Sequence, residues 1–159
     1  WLNIHWISGL ILTFLIVAHI IRSMFWQDFK SMLLTPKDFT EPFDSSSKPG
    51  KYYFEQKGLH WAATVVVLAV IITGVLMFMQ IDTPFWDRTN SMPEDQLGLV
   101  FLLHGLSTLA LVALASTHIY FALRPEKIFY TRSMVSGWMS EDELAANHDP
   151  AKWTPKEAE

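Results

Sequence analysis

Two pairs of histidines stand at the same interval in apolar stretches of the chain. His5 and His19 lie fourteen residues apart, and His104 and His118 repeat that interval further along. Fourteen residues is close to four α-helical turns, so the two histidines of a pair project from nearly the same helix face. They are then roughly 21 Å apart along the helix, which places one near each edge of a hydrocarbon layer about 30 Å thick.

Histidine is costly inside a membrane and needs a polar partner or a metal there. If the two helices run in the same direction side by side, His5 faces His104 at one depth and His19 faces His118 at the other. Two facing imidazoles are the axial ligands of a six-coordinate b-type haem. The pattern therefore predicts that these four histidines bind haem iron, although a single intramembrane histidine can also bond to a neighbouring carbonyl.

Small and basic residues beside these histidines fit the same chemistry. Gly9 lies four residues after His5, and Gly105 directly follows His104. Such positions leave room for a macrocycle, but helix packing uses small residues as well. Arg22, at the end of the first apolar stretch, is predicted to reach a haem propionate.

Two further histidines have other expected roles. His60 begins the second apolar stretch, which runs in the opposite direction, so it lies at the depth of His118. It is therefore an alternative to His19 as the partner of His118, or a residue lining a quinone pocket. His148 lies in the polar C-terminal segment and is predicted to be solvated.

The elements that position these residues are three charge-poor stretches. Residues 2–24, 59–81 and 97–123 each reach the roughly 20 apolar residues that cross a bilayer. The sequence thus predicts an all-α integral membrane protein, a transmembrane helix bundle with three spans in this chain. Residues 1–139 are predicted to form the transmembrane domain, and residues 140–159 a polar cytoplasmic tail.

The distribution of lysine and arginine predicts the orientation. Eleven of the twelve basic residues lie in the first connection or after the third span, and the remaining one is Arg88. Because basic residues concentrate on the cytoplasmic side, residues 22–57 and the tail are expected inside and residues 82–96 outside. The net charge of −4 argues against nucleic acid binding. The absence of cysteine excludes thiolate-bound clusters and covalently attached haem.

Several motifs resemble the cytochrome b, or gamma, subunit of membrane-bound respiratory formate dehydrogenase, in a group with the hydrogenase and thiosulfate reductase cytochromes b. The motifs are "HWISG", "GKYYFEQKGLHW", "TGVLMF", "LLHGLS", "THIYFAL" and the tail "MVSGWMS". The resemblance implies a multi-pass protein of the bacterial cytoplasmic (inner) membrane with two b haems. It also implies an iron–sulfur electron-transfer subunit and a catalytic dehydrogenase subunit as partners, and quinone, either menaquinone or ubiquinone, as acceptor.

The resemblance also assigns ligands. The outer haem of the family uses the histidines that match His5 and His104. Its inner haem uses the one that matches His118, together with a histidine from a first helix that this chain lacks. An upstream helix is therefore expected, and the partner of His118 remains open between His19, His60 and that upstream residue.

The same resemblance places a quinone site near the start of the second span. Gln56 and Lys57 match the family motif there, with His60 beside them. Tyr53 and Glu55 stand where the family has Asn and Gly.

Two other functional classes fit a chain of this kind. A transporter would place histidines along a proton path, but it would more often carry carboxylates in its spans, and these spans contain none. A haem-free membrane anchor could hold a peripheral enzyme by its outer loop. The sequence favours a membrane-embedded dihaem cytochrome b that passes electrons from its partner subunits to quinone.

Overall fold

The computed structural model describes residues 1–26, 29–43 and 48–153. Three long helices dominate it: α1 (Leu2–Trp26), α2 (Phe54–Phe78) and α3 (Glu94–Leu123). Two short helices follow, α4 (Ile128–Ser136) and α5 (Glu141–Asn147). No β-strand occurs within the described ranges, apart from one isolated bridge between Thr83 and Trp86. The prediction of an all-α membrane protein is confirmed.

Each long helix can cross a bilayer. Their spans, Leu2–Phe25, Phe54–Phe78 and Glu94–Leu123, have mean hydropathies of 2.1, 2.5 and 2.2. Large apolar side chains on them are mostly exposed, and Val100 is the one buried apolar side chain in the described part of the chain. Apolar surface of this kind is stable in contact with lipid, which is itself apolar.

The helix ends differ slightly from the predicted ones. α2 begins at Phe54 and ends at Phe78, whereas absence of charge predicts 59–81. α3 ends at Leu123, as the Arg124-Pro125 pair predicts, because proline disfavours the α conformation in the residue before it. α4 is followed by Gly137, whose φ of 84° is a left-handed conformation that suits glycine.

The chain divides into two compact units. The first consists of Trp1–Gln27 and Ala62–Leu114, and the second of Asp28–Trp61 and Ala115–Glu159. α2 and α3 each contribute residues to both units.

In the first unit, aromatic rings join α1, α2 and the loop after α2. The Trp6 and Phe78 ring centres are 5.3 Å apart, and those of Phe78 and Trp86 are 4.4 Å apart. The loop itself is held by Thr89, whose backbone N–H donates to the Met79 carbonyl over 3.1 Å. Tryptophan at this end of the spans is typical of a membrane–water interface.

In the second unit, the connection between α1 and α2 is fixed by a buried ion pair. Lys57 Nζ lies 2.7 Å from Asp38 Oδ1, and both side chains are nearly buried. Asp38 also accepts hydrogen bonds from the backbone N–H and hydroxyl of Thr35. Burial raises the pKa of Asp38, but the bonds from Lys57 and Thr35 outweigh it, so this pKa lies below its ordinary value.

The prediction that His148 is solvated is wrong. Its side chain is 1 % exposed. Its Nδ1 lies 2.6 Å from the Gly50 carbonyl, and its Nε2 lies 2.9 Å from the Tyr130 hydroxyl. A buried imidazole needs partners on both nitrogens, and aromatic residues distant in sequence close around it, which local polarity cannot reveal. Residues 154–159 of the predicted tail lie outside the described part of the chain.

Candidate functional site

The structure brings His5 and His104 together. Their ring centres are 6.1 Å apart and the ring planes stand at 87°. Two imidazoles on opposite sides of one metal, with metal–nitrogen bonds of about 2.0 Å as on zinc, have ring centres about 6 Å apart. The separation therefore fits a pair of axial ligands, and perpendicular rings are compatible with it because each ring can turn about its own metal–nitrogen bond.

The His104 ring is held from α2. Thr73 Oγ1 lies 2.9 Å from His104 Nδ1 and also 2.6 Å from the Ala69 carbonyl. Thr73 is 7 % exposed, so this polar contact lies within the helix assembly. The next residue, Gly74, meets the same ring: a Cβ placed there would lie 3.3 Å from His104 Cε1.

The glycines next to the two histidines leave space. A Cβ placed on Gly9 or on Gly105 would meet no heavy atom within 4 Å. Neither helix fills the neighbourhood of its histidine with a side chain at these positions. Both glycines lie on exposed helix surface, so they do not obstruct a flat macrocycle beside the two imidazoles.

The histidines of the other predicted pair lie in different units. His19 is an exposed residue of α1 in the first unit, and Arg22 is exposed one turn later. His118 is an exposed residue of α3 in the second unit. His60, also in the second unit, is half-buried, with its ring centre 5.8 Å from that of Trp61. The ligand opposite His118 remains a prediction with the same three candidates.

The predicted quinone residues lie at the start of α2. Gln56 Oε1 accepts a hydrogen bond of 2.9 Å from the Tyr53 backbone N–H, which caps the helix. Lys57 is the partner of Asp38 in the ion pair described above. The Tyr53 hydroxyl donates to the Asn147 carbonyl over 2.9 Å, and burial raises the pKa of this hydroxyl.

Sequence reasoning assigned no role to Thr73. Its only signal was the motif "TGVLMF", in which a threonine and a glycine stand together in an apolar span. A hydroxyl in such a span needs a partner, and its own helix can supply one, so the sequence alone does not point to a histidine on another helix.

Comparison with known proteins identifies the group to which these features belong. The model of a family described as prokaryotic cytochrome b561 matches residues 1–137. The chain is 30% identical over 116 residues to the cytochrome b556(fdo) subunit of formate dehydrogenase from Escherichia coli (strain K12), covering 69% of this chain and 51% of that protein. It is 30% identical over 108 residues to the formate dehydrogenase cytochrome b556 subunit of Haemophilus influenzae, covering 68% of this chain and 41% of that protein.

The chain thus spans about half the length of the first of these relatives and less of the second. No solved structure matches it significantly. The predicted resemblance to formate dehydrogenase cytochromes b is confirmed, and a cytochrome b family implies b-type haem and electron transfer. With three membrane-spanning helices, two of which bring the His5 and His104 rings within 6.1 Å of each other, the chain belongs to the prokaryotic cytochrome b561 family of bacterial inner-membrane proteins.

Proposed function

We propose that this protein is the dihaem membrane subunit of a formate dehydrogenase complex and passes electrons from an iron–sulfur partner subunit to quinone. The observation that carries the proposal is the approach of His5 and His104 from two membrane-spanning helices. The names of the similar E. coli and H. influenzae subunits support formate as the substrate of the complex. Oxidation of formate belongs to a catalytic partner subunit.

His5 and His104 would hold the outer haem, and His118 the inner one. A bound haem would supply a one-electron redox couple. The roles of the protein are to supply axial nitrogens, to fix their orientation and to keep water away. His19, His60 and an upstream histidine remain the candidates for the fourth ligand, and Arg22 is a candidate partner for a propionate.

Quinone would bind near the start of α2. Gln56 is exposed there and keeps its amide N–H groups available, since its carbonyl oxygen already caps the helix. Lys57 serves the fold through Asp38, so its contribution to a quinone site is to hold this helix start in place. His60, four residues after Gln56, lies on the same helix face.

Haem content tests the proposal. The full-length protein, purified in its complex, should give about two b haems by pyridine haemochrome analysis. His5→Leu or His104→Leu should remove one haem and leave the other, because each substitution removes one of the two histidines that would bind the same iron. Thr13→Val is the matched control on α1, since its hydroxyl donates to the Gly9 carbonyl of the same helix.

Two results would count against this assignment. A wild-type haem content near zero would make the chain a haem-free anchor. Full haem content in both His5→Leu and His104→Leu would show that the approach of the two rings is packing alone.

A further inference from the structure

We propose that Thr73 and Gly74 of α2 form a seat that orients His104, with Thr73 as a hydrogen-bonding positioning residue for an axial ligand supplied by α3. The inference rests on the proposed haem site. It concerns the residues that select which nitrogen of His104 is available to the iron and how firmly the ring is held.

The hydrogen bonds of Thr73 assign the ring nitrogens. A threonine hydroxyl has one proton to donate, and the Ala69 carbonyl lies 2.6 Å from Oγ1, with the Val70 carbonyl at 3.2 Å. Because the proton is directed to these carbonyls, the lone pairs of Oγ1 remain for His104 Nδ1 at 2.9 Å. Nδ1 then carries the hydrogen, and Nε2 keeps the lone pair that a metal needs.

Gly74 makes this geometry possible. A Cβ at this position would lie 3.3 Å from His104 Cε1 and 3.8 Å from Nδ1. Any larger residue therefore requires the ring to shift by a few tenths of an ångström. The Thr73 hydroxyl contacts the same edge of the His104 ring that lies close to Gly74, and the two residues are adjacent in the sequence.

The hydrogen bond also affects the electronic properties of the ligand. Donation from Nδ1–H to an acceptor raises the basicity of Nε2, and loss of such a partner typically lowers metal affinity about 10- to 100-fold. A more basic axial nitrogen stabilises ferric over ferrous iron. If the ferric form loses about tenfold more affinity than the ferrous form, the one-electron potential rises by about 59 mV.

The test uses Thr73→Val, which keeps the shape and removes the hydroxyl, and Thr73→Ser, which restores it. In purified full-length complex, Thr73→Val should raise the midpoint potential of one haem and shift its low-spin EPR signal. Thr73→Ser should return both toward wild type. Gly74→Ala should shift the same EPR signal, whereas Gly98→Ala on α3, where a Cβ meets nothing within 4 Å, should not.

The outcomes separate this inference from the proposed function. If His5→Leu removes a haem but Thr73→Val keeps the wild-type potential and EPR signal, Thr73 does not position His104. The assignment of the haem site is then unaffected. If Thr73→Val shifts the haem that His104→Leu leaves in place, the inference is also overturned. If wild type carries no haem, both proposals fail together, and the His5 and His104 variants then match wild type.

Discussion

At the scale of single residues, His148 ties the C-terminal segment to the rest of the second unit. Its Nδ1–H donates to the Gly50 carbonyl, so its Nε2 accepts from the Tyr130 hydroxyl. The ring centre of Trp153 lies 5.2 Å from its own, and that of Tyr53 lies 6.1 Å away. Burial raises the pKa of the Tyr130 hydroxyl, so that the hydroxyl remains a donor at neutral pH.

Replacing His148 should loosen this segment. His148→Leu leaves the Gly50 carbonyl without this partner, at about 1–3 kcal/mol for a buried group, and removes one of the hydrogen-bond partners of the Tyr130 hydroxyl. Trypsin should then cut faster after Lys152, which follows His148 by four residues. Asp142→Asn, on the exposed side of α5, is the control and should leave the cleavage rate unchanged. Equal rates for His148→Leu and wild type would contradict the role assigned to His148.

At the scale of elements, the start of α2 shows how a polar helix end is stabilised. Lys57 lies one turn inside α2, and Asp38 reaches it from a 3-10 turn at Pro36–Phe39. Removing one partner of a buried ion pair leaves an uncompensated charge and destabilises by about 3–5 kcal/mol. The exposed pair of Arg124 and Glu126, at 3.2 Å, is worth far less because water screens it.

The Asp38–Lys57 pair predicts a stability loss at low pH. The folded-state pKa of Asp38 is depressed below 3.8, so its contribution is complete well above 3.8 and is lost as pH falls through the folded value. Asp38→Asn should lower the melting temperature at pH 7 and flatten its decrease below about pH 4. Tryptophan fluorescence melts of the purified protein measure both, with Glu126→Gln as the control that stays near wild type. A wild-type pH dependence in Asp38→Asn would contradict the role of this carboxylate.

The same element shows what a sequence can and cannot predict. The lengths of the apolar stretches predict all three spans, because about 20 apolar residues are needed to cross a bilayer. The absence of charge predicts that α2 starts at residue 59, whereas the helix begins at Phe54. Charged residues can occupy its first turns because Asp38 neutralises Lys57, and that partner is nineteen residues away.

The candidate site, too, can be predicted from the sequence only in part. The repeat of fourteen residues predicts that His5 and His104 come together, since parallel helices with equal spacing place them at one depth. The contact of Thr73 with His104 depends on how α2 and α3 are rotated about their axes, which no periodicity specifies. Spacing favours His19 over His60 as the partner of His118, and that choice stays a prediction.

At the scale of the whole molecule, the charge distribution predicts that the two ends of the bundle face different compartments. The chain has no cysteine, so a single introduced thiol is a clean label site. Ser91 lies in the loop between α2 and α3, Ser136 lies at the end of α4, and both are exposed. On intact spheroplasts an impermeant maleimide should label Ser91→Cys, and it should label Ser136→Cys only after lysis, because the distribution of basic residues predicts a cytoplasmic location for α4. Labelling of both after lysis is the control for reactivity. The reverse pattern would invert the orientation, place the His5–His104 pair toward the cytoplasm and require the electron donor to dock on the opposite face.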